Sequence, residues 1–279
     1  MGPRRFVLVG HPVAHSLSPE IHRAAYRVLG LEHRYDLVDA PDEAALARVV
    51  DALRAGELDG ANVTVPWKRA ALALCDRADA LARDAGAANV LTRAPDGAVV
   101  ASNTDAPALA DELARLGARP GVASVIGSGG AALSAVMACR ALGVARVVAL
   151  ARRWTAVTRA GFERLGAEPA PFDRVPADSA IVVQATSAGM VGADAGDAVA
   201  ALVDWERLPA DAVGYDVVYD PPLTPFVAAA RRAGRVAESG LGMLIGQAVR
   251  AMGIWLGATP PAAPLREAAR RAIAARRTT

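Results

Sequence analysis

From Val125 the chain reads Val125-Ile126-Gly127-Ser128-Gly129-Gly130-Ala131-Ala132, an apolar run leading into Gly127-x-Gly129-x-x-Ala132 and then directly into a helical pattern. This arrangement suits the pyrophosphate of a dinucleotide. Gly127 permits a tight turn, Gly129 lets backbone approach phosphate, and small Ala132 lets the helix pack on the strand. The amides of Ser128, Gly129, Gly130 and Ala131 would then face the anion at a helix N-terminus. About 20 residues further on, where an NAD site usually carries an acid for the ribose hydroxyls, the sequence reads Leu150-Ala151-Arg152-Arg153. No carboxylate is present there. Two guanidinium groups at that strand end would attract the 2′-phosphate of NADP through charge-assisted bonds.

Other polar residues are less specific taken alone. Lys68 follows a strand and reads as a surface lysine, and Asp105, two residues before Pro107, reads as a helix cap. Ser18-Pro19-Glu20 is a helix start in which Ser18 can cap. Asn62 and Thr64 occupy alternate positions of one expected strand and so share a face. His11, His15 and His22 fall close together but have no carboxylate or cysteine at ligand spacing, so no metal site is expected. Cys75 and Cys139, the only cysteines, are too far apart for a zinc motif. With no disulfide framework, a reducing cytoplasm is the expected compartment.

Alternating strand and helix patterns position these groups. Strands are expected over 6–10, 34–38 and 59–65, with helices over 19–29, 42–55 and 72–81. The helix at 19–29 presents Ile21, Ala24, Ala25 and Val28 on one face. A helix over 107–116 opens a second series: strand 123–126, helix 131–142, then strands 146–150, 181–184 and 212–218. This alternation is what a parallel sheet with crossover helices requires. A strong helix follows over 241–256, and Pro260, Pro261 and Pro264 separate it from a terminal helix carrying Arg266, Arg270, Arg271, Arg276 and Arg277. That basic end reads as a solvated helix face and a frayed tail, without a role of its own.

Composition bounds the function. With 53% hydrophobic and 22% charged residues the 279-residue chain is a folded globular protein with room for two modest domains. A net charge of +2, with both signs dispersed, argues against a nucleic-acid partner. No apolar stretch approaches the roughly 20 residues of a membrane span, and the run at 6–9 is too short for a signal peptide.

Four further segments join the glycine turn: Gly10-His11-Pro12-Val13-Ala14-His15-Ser16-Leu17-Ser18-Pro19, Asn62-Val63-Thr64-Val65-Pro66-Trp67-Lys68, Asn103-Thr104-Asp105, and Gly240-Leu241-Gly242-Met243 followed by Gln247. In order and spacing they resemble the shikimate dehydrogenase family over nearly the whole chain. The resemblance implies an α/β protein with a substrate domain of mainly parallel sheet over 1–105 and a Rossmann-type NADP domain over 106–238. C-terminal helices over 239–279 would pack back on the first domain. It implies NADPH-dependent, reversible reduction of 3-dehydroshikimate to shikimate in a cleft, on the route to chorismate and the aromatic amino acids. A monomer or homodimer is expected.

Carried over by position, the resemblance makes Lys68 the proton donor and Asp105 its partner carboxylate. Hydride arriving at a carbonyl carbon leaves an oxygen that must be protonated, so such a pair makes chemical sense. It implies that Ser16 and Ser18 bind the substrate carboxylate, and that Asn62, Thr64, Asn89, Tyr219 and Gln247 make the other substrate contacts. For the cofactor it adds Thr186, Ser187, Val217, Gly240 and Met243 to the glycine turn and the arginines, with Gly240 and Met243 beside the nicotinamide. The sequence also departs from the family pattern. Ala106-Pro107-Ala108-Leu109 stands where Gly-x-x-Gly commonly follows Asn-Thr-Asp, Ala151 and Gln184 replace usual asparagines, and Val90 stands where threonine often follows Asn89. A quinate/shikimate dehydrogenase, an aminoshikimate-type paralogue and a non-catalytic NADP/shikimate sensor are the competing readings. Ser16 with Ser18, and the lack of an acid at Ala151, favour shikimate and NADP. Retention of Lys68 and Asp105 favours an enzyme.

Overall fold

The computed structural model describes residues 2–276, so Arg277 lies outside the described residues. The chain divides into two compact units, one of residues 2–104 with 245–276 and the other of residues 105–244.

In the first unit, β1 (Arg5–Gly10), β2 (Arg34–Asp39) and β3 (Gly60–Val63) pair in parallel, linked by α1 (Ser18–Leu29) and α2 (Glu43–Ala55). Short α3 (Lys68–Leu74), β4 (Arg77–Ala78) and α4 (Ala80–Ala85) precede a hairpin of β5 (Val90–Arg93) and β6 (Val99–Ser102). The six strands lie in the order β2-β1-β3-β5-β6-β4, with β5 antiparallel to both of its neighbours. Val7, Val9, Ala61 and Val63 bury one face of the sheet together with Leu46, Val49 and Leu53 of α2. Phe6 on the opposite face stacks on Trp255, ring centroids 4.6 Å apart.

The second unit contains α5 (Asp105–Arg115), β7 (Val122–Ile126), α6 (Gly130–Ala141), β8 (Arg146–Ala151), α7 (Ala156–Arg164), β9 (Ala167–Pro171), β10 (Ser179–Gln184), α8 (Asp197–Ala200), β11 (Val213–Asp216), α9 (Pro225–Arg232) and β12 (Val236–Ser239). All its strand pairs are parallel, in the order β12-β11-β10-β7-β8-β9. Counted from β7, that is the 3-2-1-4-5-6 order of the doubly wound dinucleotide fold, which reverses direction between β7 and β10. One sheet face packs through Leu133, Val136, Cys139 and Phe162, and the other through Val199, Trp205, Phe226 and Val227.

Two helices complete the chain, α10 (Leu241–Leu256) and α11 (Ala262–Arg276). From Ile245 onward they belong to the first unit. Trp255 donates from Nε1 to the Leu91 carbonyl at 3.1 Å, and Arg276 donates to the carbonyls of His15 (2.8 Å) and Ser16 (3.2 Å). Both cysteines are free. No helix among the described residues is long and apolar enough to cross a membrane, and no group of three His, Cys, Asp or Glu residues among them is placed to hold a metal ion.

The structure corrects several expectations. The helical pattern at 72–81 is two helices in series, not one. Cys75 turns to extended backbone, Asp76 exchanges bonds with Val99, and Asp79 starts a new helix by accepting from the Ala82 amide at 2.7 Å. Val28 is exposed at 46%, so the buried face of α1 ends before it. Pro264 lies in the first turn of α11 instead of separating the helices, a position where a missing N–H costs no helical bond. Arg276 is neither frayed nor idle, because its two bonds fix the loop before α1.

Candidate active site

In an open α/β sheet, loops at the carboxyl ends of adjacent parallel strands form the ligand site. In the first unit these are the loops after β1 and β3. The His11 amide donates to the Val65 carbonyl and the Thr64 amide to the Val9 carbonyl, each at 2.9 Å, so the two loops are fastened together. The first loop ends in a local serine motif. Ser16 Oγ accepts from the Ser18 amide at 3.2 Å and donates to Ser18 Oγ at 3.1 Å. Ser18 is buried and is the first residue of α1. Leu17 takes the cap position, without a side-chain bond, so the capping role expected for Ser18 is absent.

A buried amide network lies in the same unit. Asn62 accepts from the Tyr35 hydroxyl at 2.7 Å and donates to the Asn89 carbonyl at 3.2 Å. Asn89 Oδ1 accepts from the Thr104 amide at 2.8 Å, while its Nδ2 donates to Thr104 Oγ1 at 2.9 Å and Gln247 Oε1 at 3.4 Å. Three candidate substrate residues, Asn62, Asn89 and Gln247, are therefore joined in one network. Thr64 is not the strand partner of Asn62 that alternation suggested. β3 ends at Val63, and Thr64 begins the following turn, its carbonyl accepting from Trp67 at 2.9 Å. Lys68 opens α3 next, half-buried, and its carbonyl accepts from the Ala88 amide at 2.8 Å, which brings its backbone beside Asn89. Asn103 reinforces the same loop by donating to the Ala87 carbonyl at 3.0 Å.

In the second unit, Asp105 is buried at the start of α5. At the carboxyl end of β7, Gly127 has φ +134°, a conformation open to glycine. A Cβ there would meet the Ala185 carbonyl oxygen at 2.9 Å, so the loops after β7 and β10 touch at the topological switch point. Gly129 is different. It is exposed, with extended backbone at the N-cap of α6, and a Cβ would meet nothing within 4 Å. The protein's own packing gives no reason for glycine there, whereas a phosphate against the amides of α6 does. Ser128, Gly130 and Ala131 are partly exposed on the same turn, and Ala132 is buried against the core. The residues present thus fit a dinucleotide.

Arg152 and Arg153 are exposed just beyond β8. Arg152 lies over the Phe172 ring, 4.9 Å from its centroid, and pairs with Asp194 at 3.5 Å. The Gly196 amide, and then Arg152, hold the Asp194 carboxyl below its ordinary range. The loop bearing Thr186 and Ser187 is shaped by Gln184. Its Oε1 accepts from the Thr186 amide at 2.6 Å and its Nε2 donates to the Ala188 carbonyl at 2.9 Å. The departure from asparagine at this position therefore keeps a structural function.

Asp216 is a group that carries no signal in the sequence. It is fully buried, accepting from Thr224 Oγ1 at 2.6 Å and the Val218 amide at 2.9 Å, and burial pushes its carboxyl up to about 7. These bonds span the loop carrying Val217 and Tyr219. The backbone of Val217 fills the space that a side chain on Gly240 would need, so the fold itself demands that glycine. The Met243 amide donates to the buried Tyr215 hydroxyl at 2.9 Å. Arg115 bridges Glu112 (2.8 Å) and Glu238 (2.6 Å), and the Glu112 carboxylate lies against Gly242. The turn from Gly240 to Met243 is pinned from three sides.

Comparison with known proteins places these features in a class. Residues 8–91 match the model described as shikimate dehydrogenase substrate binding domain, and residues 240–270 match the shikimate 5'-dehydrogenase C-terminal domain. The NADP(+) shikimate dehydrogenase of Methylobacterium radiotolerans is 40% identical, over 94% of this chain and 94% of its own. Among solved structures, shikimate 5-dehydrogenase from Thermus thermophilus, in complex with NADP(H) and shikimate, is 34% identical with a TM-score of 0.82, covering 96% of this chain and 99% of that one. The 5-ketofructose reductase of Gluconobacter sp. strain CHM43 shares the fold at 25% identity and TM-score 0.83, covering 96% of this chain and 98% of that one. The doubly wound sheet with its open glycine turn defines a dinucleotide-binding oxidoreductase fold. The chain belongs to the shikimate dehydrogenase family.

Proposed function

We infer that this chain catalyses the NADPH-dependent, reversible reduction of 3-dehydroshikimate to shikimate in aromatic amino-acid biosynthesis. The observation that carries the substrate reading is the buried network of Asn62, Asn89, Thr104 and Gln247, in the same unit as the Ser16–Ser18 motif. Together they supply hydroxyl and amide groups suited to a small polyhydroxylated acid. The 5-ketofructose reductase has the same fold, so these side chains, and not the fold, support the choice of substrate.

In this reading the unit formed by residues 2–104 and 245–276 handles substrate, and residues 105–244 hold the cofactor. Ser16 and Ser18 bind the carboxylate, while Asn62, Thr64, Asn89, Tyr219 and Gln247 bind the hydroxyls and ring. The amides of Ser128, Gly129, Gly130 and Ala131 would hold the pyrophosphate of NADPH. Arg152 and Arg153 would hold its 2′-phosphate, and Thr186, Ser187, Val217, Gly240 and Met243 its nicotinamide half. NADPH held there would supply a hydride to the ketone carbon. Lys68 Nζ gives a proton to the carbonyl oxygen as negative charge develops there, and in the reverse direction accepts it from the alcohol. Asp105 holds the ammonium and a substrate hydroxyl in place. We further propose a cytoplasmic enzyme, monomeric or homodimeric.

Lys68→Ala tests the assignment. Turnover should fall by about 10²- to 10⁴-fold, the range for loss of a general acid, with little change in shikimate KM. Near-normal turnover removes Lys68 from the chemistry.

A further inference from the structure

Tyr35 lies on β2, the edge strand of the first unit's sheet, and its ring is 1% exposed. Strand register pairs Tyr35 with Phe6 and Leu8 with Asn62, which puts all four residues on one face. The phenol thus passes across β1 to reach β3, where it donates to Asn62 Oδ1 at 2.7 Å. The other end of that amide donates to the Asn89 carbonyl at 3.2 Å. The hydroxyl therefore touches one residue assigned above to substrate binding and, through that residue's amide, is linked to the backbone of a second, Asn89. His22 stacks on the Tyr35 ring, with centroids 3.8 Å apart and planes at 14°. Burial pushes His22 down to about 3, so it packs as a neutral ring.

We propose that Tyr35 is a positioning residue for substrate, fixing the amide of Asn62. This rests on the reading of Asn62 as a substrate contact. Asn62 is 3% exposed, and both ends of its amide are committed, oxygen to Tyr35 and nitrogen to the Asn89 carbonyl. Rotating the amide would face two oxygens toward each other and leave a buried polar atom unpaired, which costs more than one hydrogen bond gains. The side chain is therefore set before substrate arrives. Without the hydroxyl, Oδ1 loses its donor and the amide is free to leave that geometry.

The test is steady-state kinetics of the full chain with shikimate and NADP⁺, comparing Tyr35→Phe, Asn62→Ala and the double variant. Phenylalanine keeps the ring and its stack on His22. Tyr35→Phe should raise shikimate KM about 5- to 20-fold, the effect of one mis-set buried hydrogen bond, with kcat within about threefold and NADP⁺ KM unchanged. The double variant should be no worse than Asn62→Ala, because the two residues act as one unit. A merely structural role would lower the melting temperature without moving KM. Unchanged KM in Tyr35→Phe, or additive losses, overturns the proposal. If wild type turns over shikimate but Asn62→Ala leaves KM unaltered, the assignment of Asn62 fails and takes this proposal with it. Should the Asn62 variants be unstable, the Tyr35→Phe KM decides alone.

Discussion

Replacing Gly129 by alanine separates what the fold needs from what the cofactor needs. A methyl group at Gly129 meets no protein atom within 4 Å, and its backbone, at φ −87° and ψ −174°, is open to any residue. The stability cost is then only that of exchanging glycine for alanine at an N-cap, a fraction of a kcal/mol to about 1 kcal/mol. For a chain of this size that is a melting shift of about 2–4 °C at most. The same methyl group would occupy the approach of a pyrophosphate to the α6 amides. Losing one charge-assisted bond there costs about 1.5–3 kcal/mol, or roughly 10- to 150-fold in NADP⁺ affinity. Gly127→Ala is the contrast, because its Cβ would meet backbone at 2.9 Å with φ at +134°. It should lose stability as well as cofactor binding. Tm by thermal unfolding and NADP⁺ Kd by fluorescence titration read both quantities. Gly129→Ala with unaltered NADP⁺ affinity would refute the placement of the pyrophosphate.

Two further predictions concern charge. Replacing Arg152 and Arg153 together should weaken NADP⁺ far more than NAD⁺ while leaving Tm nearly unchanged, since the exposed Arg152–Asp194 pair contributes little to stability; equal losses for both cofactors would contradict the 2′-phosphate role. Burial raises the Asp216 carboxyl from 3.8 to about 7, so the folded chain holds a proton there that the unfolded chain has released. Its contribution to stability is complete below pH 3.8 and is lost as pH rises toward about 7. Asp216→Asn cannot ionise and should gain stability relative to wild type across that interval; a constant difference in Tm between these two pH values would show that Asp216 does not titrate as described.

In the second unit α7, α8, α9 and β12 are only four to nine residues long and leave no clear reading, whereas β7, β8, β10 and β11 lie in apolar runs and α6 follows the glycine turn directly, so these are legible in the sequence. β9 is not, because its sequence, Ala-Glu-Pro-Ala-Pro, carries two prolines. Proline is tolerated there because β9 is an edge strand, paired only to β8. The β5–β6 hairpin leaves a readable signal, Pro95-Asp96-Gly97 with Gly97 at φ +85°, but its flanking strands are four residues each and weakly patterned. The helix expected over 72–81 divides because apolar spacing runs on through Asp76 and Asp79, whose bonds end one helix and start the next.

At the site, glycine spacing and the arginine pair can be read from local sequence, because their geometry is set within a few residues of chain. The Tyr35–Asn62–Asn89–Thr104–Gln247 network cannot be, since it joins residues up to 158 positions apart in one pair. Asp216 is invisible for a similar reason. Its raised carboxyl depends on burial and on Thr224, and neither is encoded in the Asp-Val-Val-Tyr segment itself. Arg276 is indistinguishable from its neighbours because a helix face of arginines gives no hint of which one turns toward the loop before α1.

A panel of turnover rates for the purified full chain, with shikimate and quinate each paired with NADP⁺ and NAD⁺, tests the substrate and cofactor assignments together. The highest kcat/KM is expected for shikimate with NADP⁺. Faster oxidation of quinate with NAD⁺, or no turnover of shikimate at all, would contradict these assignments.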